Sequence, residues 1–296
     1  MKAQKGERMK ILEQYQKGKI SDKLCEDRLV VTDKFIAVID GVTSKSGFSY
    51  QGKSTGFLAA QMVAQAVREA KKKDTYKDIL QCCQKKISEF YEYSGFTEDW
   101  KKNGPQAVAV IYSDYYRKIW MIGDCQAMID GKRFVNPKKS DLVLADFRSM
   151  ILWKLHQEKK LDFLSGDEGR EVILPWILAA TVFSNDDSTP YGYAVINGES
   201  IPEGLIKTIS LDDQAHEIVL ASDGYPVFED SLETSEQELE KCLNNDPFCY
   251  KDCPGTKGLG KNCCSFDDRT YIRFEIDERL KDEKEADNES YLSSET

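Results

Sequence analysis

FIAVIDGVTSKSG, residues 35–47, is the stretch whose reading decides the fold. An unbroken apolar run from Phe35 to Ile39, the pattern of a buried strand, leads directly into Asp40 and Gly41. A lone carboxylate beside a core costs several kcal/mol to desolvate, or takes up a proton instead. Asp-Gly is also a favoured turn dipeptide, so Asp40 taken alone reads as turn chemistry. The question is whether other strands deliver acids in the same way.

Upstream, DRLVVT (27–32) reads as a strand that meets FIAVID through a turn at Asp33-Lys34. Downstream, helical spacing predicts one helix starting at Ser54 or Thr55 and closing on the lysine run 71–73. A second helix runs from Tyr76 to near Gly95. Residues 105–135 read as three or four antiparallel strands with turns at 114–117, Gly123-Asp124 and Asp130-Gly131. A helix from Ser140 follows, then a helical or irregular stretch around DEGREVILPWI (167–177). YGYAVING (191–198), LIKTIS (205–210), HEIVLASDG (216–224) and RTYIRFEI (269–276) read as strands, and SEQELEKCL (235–243) as a helix. Hairpin runs of strands with helices in separate blocks predict an α+β fold with antiparallel sheets. Residues 1–276 are expected to form one domain, and the acidic, Ser-rich 277–296 a disordered tail.

Composition narrows the function classes. The 296 residues carry a net charge of -10, with a pI near 5.0, which argues against nucleic-acid or anionic-membrane partners. The longest apolar stretch, 172–183, is too short for a membrane span and contains Pro175. The N-terminus lacks a signal-like apolar run, so a cytoplasmic location and reduced thiols for all nine cysteines are expected. Without a C-x-x-C pair, a structural zinc site has little support.

The acids at strand ends form a set. Asp40 closes FIAVIDG, Asp124 sits in WMIGDCQ, and Asp223 closes IVLASDG. Asp267-Asp268 precede the last strand, and Glu26-Asp27 open the first of the strands read above. Converging carboxylates repel unless cations join them, and hard oxygen ligands suit Mg²⁺ or Mn²⁺.

CEDRLVVTDKFIAVIDGVTSKSG, IGDCQAMIDG, IVLASDG and DDRT, in this order and spacing from Cys25 to Phe274, resemble the type 2C metal-dependent protein phosphatases (the PPM family), especially their compact bacterial members. The resemblance implies a four-layer αββα sandwich of two antiparallel sheets flanked by helices, with two Mn²⁺ or Mg²⁺ ions in a cleft at one edge. It implies Asp40 bridging both metals, the Gly41 carbonyl on one, and Asp223 and Asp267 on the other. Glu26 and Asp27 would hold metal-bound water. The nucleophile would be a metal-bridging water, with no side-chain nucleophile. The substrate would be phosphoserine or phosphothreonine in a phosphoprotein, with a cognate kinase as counterpart.

Three positions depart from the family pattern. Val42 stands where many members have a histidine, and Asp22 where a phosphate-binding arginine is common. This leaves Lys45 and Arg28 as candidate phosphate contacts. Asp124 and Asp223 match two ligands of a third metal, but Val227 replaces its remaining acid. Two alternatives stay open. GFSYQGKS (47–54) matches the P-loop pattern, although no strand leads directly into its first glycine. A pseudophosphatase that binds without turnover would explain the missing arginine and histidine.

Overall fold

A computed structural model of the chain describes residues 9–43, 48–161 and 166–277. The strands are β1 (Met9–Lys17), β2 (Arg28–Val31), β3 (Phe35–Gly41), β4 (Ser49–Tyr50), β5 (Lys53–Ser54), β6 (Ala107–Ser113), β7 (Lys118–Ile122), β8 (Gln126–Ile129), β9 (Lys132–Phe134), β10 (Lys207–Ser210), β11 (Glu217–Ala221) and β12 (Arg269–Ile276). The helices are α1 (Thr55–Glu69), α2 (Tyr76–Ser94), α3 (Trp100–Asn103), α4 (Lys139–Gln157), α5 (Glu168–Ala179) and α6 (Leu232–Asn245). Two five-stranded antiparallel sheets, ordered β10-β7-β6-β3-β2 and β1-β12-β11-β8-β9, pack face to face.

Strand β3 is almost wholly apolar because both of its faces are buried. Phe35, Ala37 and Ile39 point outward against α1 and α2, whereas Ile36 and Val38 point inward against the second sheet. Strand β6 repeats the division, with Ala107, Ala109 and Ile111 on the helix side and Val108, Val110 and Tyr112 on the sheet side. Ile218 and Leu220 of β11, with Ile272 and Phe274 of β12, complete the inter-sheet core. Each such aliphatic side chain contributes on the order of 2 kcal/mol relative to exposure. The far face of the second sheet is covered by α6 and the segment after it, through Val219, Ala221, Tyr271, Leu239 and Phe266.

Several sequence expectations need correction. Helix α1 starts after a Ser54 cap but ends at Glu69, before the lysine run. Residues 191–198 make only isolated bridges rather than a strand. There the Asn185 side chain accepts from Val195 N (2.9 Å) and donates to Val195 O (3.0 Å), taking up the groups a neighbouring strand would use. Strand β1, which the sequence reading leaves without an element, pairs along β12 and supplies that sheet's edge. Ser49–Ser54 forms a small hairpin turning at Gln51-Gly52. Its Lys53 ammonium lies over the Phe57 ring, so the described part of the P-loop match is not a phosphate cradle. Residues 278–296 of the expected tail lie outside the described residues.

Helices α4 and α5 pack on each other and clasp the segment that follows α6. Fully buried Arg148 of α4 pairs with Asp167, the α5 cap, at 2.6 Å and donates to the carbonyls of Phe248 (2.7 Å), Cys249 (3.0 Å) and Gly255 (3.0 Å). Arg148→Ala would take the guanidinium from Asp167, which keeps only the N–H groups of Arg170 and Gly258, and would remove a donor from the carbonyls of Phe248, Cys249 and Gly255. A destabilisation of about 3–5 kcal/mol in urea unfolding is expected; a change under about 1 kcal/mol, the range of an exposed pair, would contradict this account.

Candidate metal centre

Strand register brings the acids together. Ile39 of β3 pairs with Arg28 at the start of β2, Gly41 with Ala107 at the start of β6, and Ile122 at the end of β7 with Ala109. In the other sheet, Ala221 at the end of β11 pairs with Gln126 at the start of β8 and Tyr271 near the start of β12. The short link from β7 to β8 joins these ends and so fixes them on the same side. Gly123 in that link has φ +90°, and a Cβ there would lie 2.2 Å from Val108 Cγ1, so only glycine makes the crossing without displacing β6. Asp40, Asp124, Asp223, Asp267 and the pair Glu26-Asp27 therefore share one end of the sandwich.

Each acid is held differently. Burial first, then the charges of Asp223, Asp27, Asp267 and Asp124, push the Asp40 carboxyl well above the ordinary range. Among the described residues no hydrogen bond reaches it. Asp223 is pushed up to about 6 by the surrounding protein and by Asp124 and Asp267. Its side chain stays open to water, which screens part of that repulsion. Asp27 is fully buried and accepts from the Ser222 hydroxyl at 2.7 Å; burial dominates and raises it to about 7. The Thr270 hydroxyl beside it offsets part of that rise, yet among the described residues neither Asp27 Oδ1 nor that hydroxyl completes a hydrogen bond of ordinary geometry.

Glu26 is turned into a pocket of hydroxyls. Its carboxylate accepts from Thr43 at 2.8 Å and from Ser54, the residue that caps α1. Buried Asp268 accepts from Lys19 N (2.7 Å) and Glu26 N (2.8 Å), binding the chain after β1 and before β2 to the start of β12. Gly41 lies so close to α1 that a Cβ would sit 2.2 Å from Gly56 O and 2.9 Å from Glu26 O, which keeps the carbonyl end of β3 pressed into this corner.

Three lysines missed in the sequence enter the same site. Lys19 lies 2.7 Å from Asp267 and 3.8 Å from both Glu26 and Asp268, and Lys257 also pairs with Asp267. Lys138 pairs with Asp124 at 3.0 Å. Burial alone would raise Asp267, but Lys257 and Lys19 outweigh it and hold the carboxyl well below the usual range. Lys19 is held above its ordinary value, because the carboxylates overcome its own desolvation. Strand β1 brings Lys19 in, and without that strand its sequence neighbourhood carried no signal. Asp124, Asp223 and Asp267 line a cleft of about 490 Å³ together with Lys138, Lys257 and residues 252–257.

Glu26, Asp27, Asp40, Asp124, Asp223, Asp267 and Asp268 thus face Lys19, Lys138 and Lys257. The excess, about four negative charges when all are ionised, matches two divalent cations. The all-oxygen donor set, the unbonded Asp40 and the orphaned Asp27 Oδ1 fit hard cations. As the side chains stand, no three acids, histidines or cysteines among the described residues already surround a common point. Binding would require Asp267 to exchange lysine contacts for metal.

Other expected residues fare differently. Arg28 donates to the carbonyls of Cys25 and Asp27, and its guanidinium lies 3.9 Å from the Phe57 ring centre, so it is committed to local structure and is not a phosphate contact. Lys45 lies outside the described residues. His156 bonds Tyr250 beside Trp153, and His216 is exposed near Asp130; neither lines the cleft. No helix among the described residues is long and apolar enough to cross a membrane.

No family model and no curated protein matches the chain. Among solved structures, the serine/threonine phosphatase PstP/Ppp of Mycobacterium tuberculosis is 13% identical, with 91% of this chain and 99% of that chain covered and a TM-score of 0.47. The catalytic domain of PstP in complex with 2 manganese ions is 14% identical, with 91% and 100% covered and a TM-score of 0.47. Stp1 of Staphylococcus aureus is 14% identical, with 90% and 94% covered and a TM-score of 0.44. Likenesses at this level carry no assignment of activity, which must come from the cleft.

Stability without metal should depend on pH in a defined direction. Asp40, Asp223 and Asp27 bind protons more tightly folded than unfolded. The native state therefore carries more protons between the ordinary carboxylate range and about 7, and loses stability as pH rises across that window. Asp267, held low, acts oppositely only at strongly acidic pH. Melting in EDTA should occur at higher temperature at pH 5 than at pH 8, and Asp223→Asn should narrow the gap. A wild-type melting temperature that rises from pH 5 to pH 8 would contradict the charge assignment.

Proposed function

We propose that residues 1–276 act as one metal-dependent phosphatase domain of the PPM type, hydrolysing phosphomonoesters, in particular phosphoserine and phosphothreonine in proteins. The observation that carries the reading is the half-buried Asp40, without a hydrogen bond among the described residues and raised by burial and by Asp223, Asp27, Asp267 and Asp124 beside the cleft. In this reading Asp40, Asp223, Asp267 and the Gly41 carbonyl hold two Mn²⁺ or Mg²⁺ ions. When bound, such ions supply Lewis acidity toward phosphoryl oxygens and a water acidic enough to attack phosphorus near neutral pH.

The chain's own groups would do the rest. Asp27, fixed by Ser222, and Glu26, fixed by Thr43 and Ser54, would orient water from positions behind the ligands. Lys138 and Lys257 would take over the anchoring of phosphate for which Arg28 is not free. Lys138 on Asp124 supplies a cation where a third metal would otherwise be expected, so only two ions are proposed. With no imidazole lining the cleft, proton transfer to the leaving group would fall to water. A phosphoprotein substrate would also imply a kinase that supplies it, in a cytoplasmic setting.

A second reading has its own supporting observation. Lys19 and Lys257 already neutralise Asp267, as they would in a pseudophosphatase that binds a phosphoprotein without metal. The two separate on one assay. Hydrolysis of p-nitrophenyl phosphate should need added Mn²⁺ or Mg²⁺ and vanish in EDTA; Asp40→Asn should lower kcat/KM by at least about 2–3 kcal/mol in transition-state stabilisation. No hydrolysis at any Mn²⁺ concentration would favour the pseudophosphatase, and equal rates in EDTA and Mn²⁺ would sink the metal-dependent reading.

Lys257→Ala should raise KM for the aryl phosphate about tenfold, roughly 1.4 kcal/mol, with a smaller effect on kcat. An unchanged KM would remove Lys257 from substrate binding.

A further inference from the structure

The cleft has a second chemistry in its wall. Cys242 projects from α6, and its Sγ lies 3.0 Å from Sγ of Cys253 in the segment that follows. All nine cysteines are free thiols, and this pair is already inside ordinary sulfur contact. A disulfide bond needs only roughly 1 Å of further approach. Cys242 is 8% exposed and Cys253 is half-buried, so an oxidant would meet Cys253 first.

The surroundings already hold the two sulfurs together. Asp246, at the end of α6, accepts from the backbone N–H groups of Tyr250, Lys251 and Asp252, wrapping the segment around its carboxylate. Gly255 N donates to Cys249 O and Leu259 N to Pro247 O, closing the segment on itself. Cys249, Cys253 and Lys257 of this segment line the cleft, and Lys257 reaches Asp267.

We propose that Cys242 and Cys253 are a modification site at which a hydroperoxide closes a disulfide, tying α6 to the cleft-lining segment. Cys253 Sγ attacks the peroxide; an S–O bond forms, the O–O bond breaks, and with hydrogen peroxide one water leaves. Cys242 Sγ then attacks the resulting sulfenic sulfur; the S–S bond forms, the S–O bond breaks, and a second water carries off the remaining oxygen with the thiol proton. Each sulfur gives up one electron, and the two peroxide oxygens accept them. Burial keeps the Cys253 thiol high, at about 12, so closure is slow and reports sustained oxidation.

The test uses the full chain treated with hydrogen peroxide, alkylated, digested without reduction and mapped by mass spectrometry. One cross-linked peptide pair joining Cys242 and Cys253 is expected, reversed by dithiothreitol, absent in Cys253→Ser and retained in Cys249→Ser. Trypsin should cut at exposed Lys251 several-fold more slowly in the oxidised wild type than in the reduced protein, with no such difference in Cys253→Ser. Three results would overturn the proposal: cross-links that involve Cys249 instead, no cross-link while half-buried Cys263 and exposed Cys264 are oxidised, or zinc in the purified protein released by alkylating Cys242, Cys249 and Cys253. The wild-type map and the wild-type Lys251 cleavage rates need no substitution, so they decide the matter even if Cys249→Ser, at a buried position, fails to fold.

Discussion

Asp40, Asp124, Asp223 and Asp267 repel one another across the open end of two packed sheets, and the fold must hold them there. Residues near the repulsion are arranged to contain it. Lys19 and Lys257 grip Asp267, Lys138 grips Asp124, and Ser222 steadies Asp27. Asp40 is left without such help among the described residues, and it sits near the end of a strand whose two faces are both enclosed by the core. An ordinary fold would place an asparagine or a serine at such a position. Keeping an acid there makes sense if a cation arrives to join it.

The sheets supply the rigidity this requires. Ile36 and Val38 lock β3 to the second sheet, while Phe35, Ala37 and Ile39 lock it to the helices. A one-residue slip of β3 would exchange these faces and carry Asp40 to the wrong side. Gly41 and Gly56 let the end of β3 approach α1 closely, and the cap of that helix, Ser54, also bonds Glu26. Helix capping, strand register and charge placement are thus the same few contacts seen from different sides. Asp268 extends the knot to β12 through Lys19 N and Glu26 N.

Much of this could be read before any coordinates. The apolar runs of β3, β6, β7 and β11 announced strands because burial on both faces demands continuous hydrophobicity, and the acids at strand ends announced the cleft. What stayed hidden was decided by contacts distant in sequence. Strand β1 is polar at many positions because it is an edge, so its pattern is weak, and Lys19 was lost with it. YGYAVING has a strand's composition, but the Asn185 amide occupies the backbone of Val195. Arg28 looked available until Phe57 and two carbonyls were seen to hold it. Lys138 and Lys257 arrive from segments with no strand or motif to flag them.

The central claim is that this cleft binds two divalent cations through Asp40. Equilibrium titration of the metal-free chain with Mn²⁺, followed by electron paramagnetic resonance of the unbound ion, tests it without reference to any substrate. The account predicts that two Mn²⁺ are taken up per chain and that Asp40→Asn weakens uptake at least tenfold while the protein stays folded. Failure of the wild type to bind Mn²⁺ at millimolar concentration, or equal binding by Asp40→Asn, would contradict it.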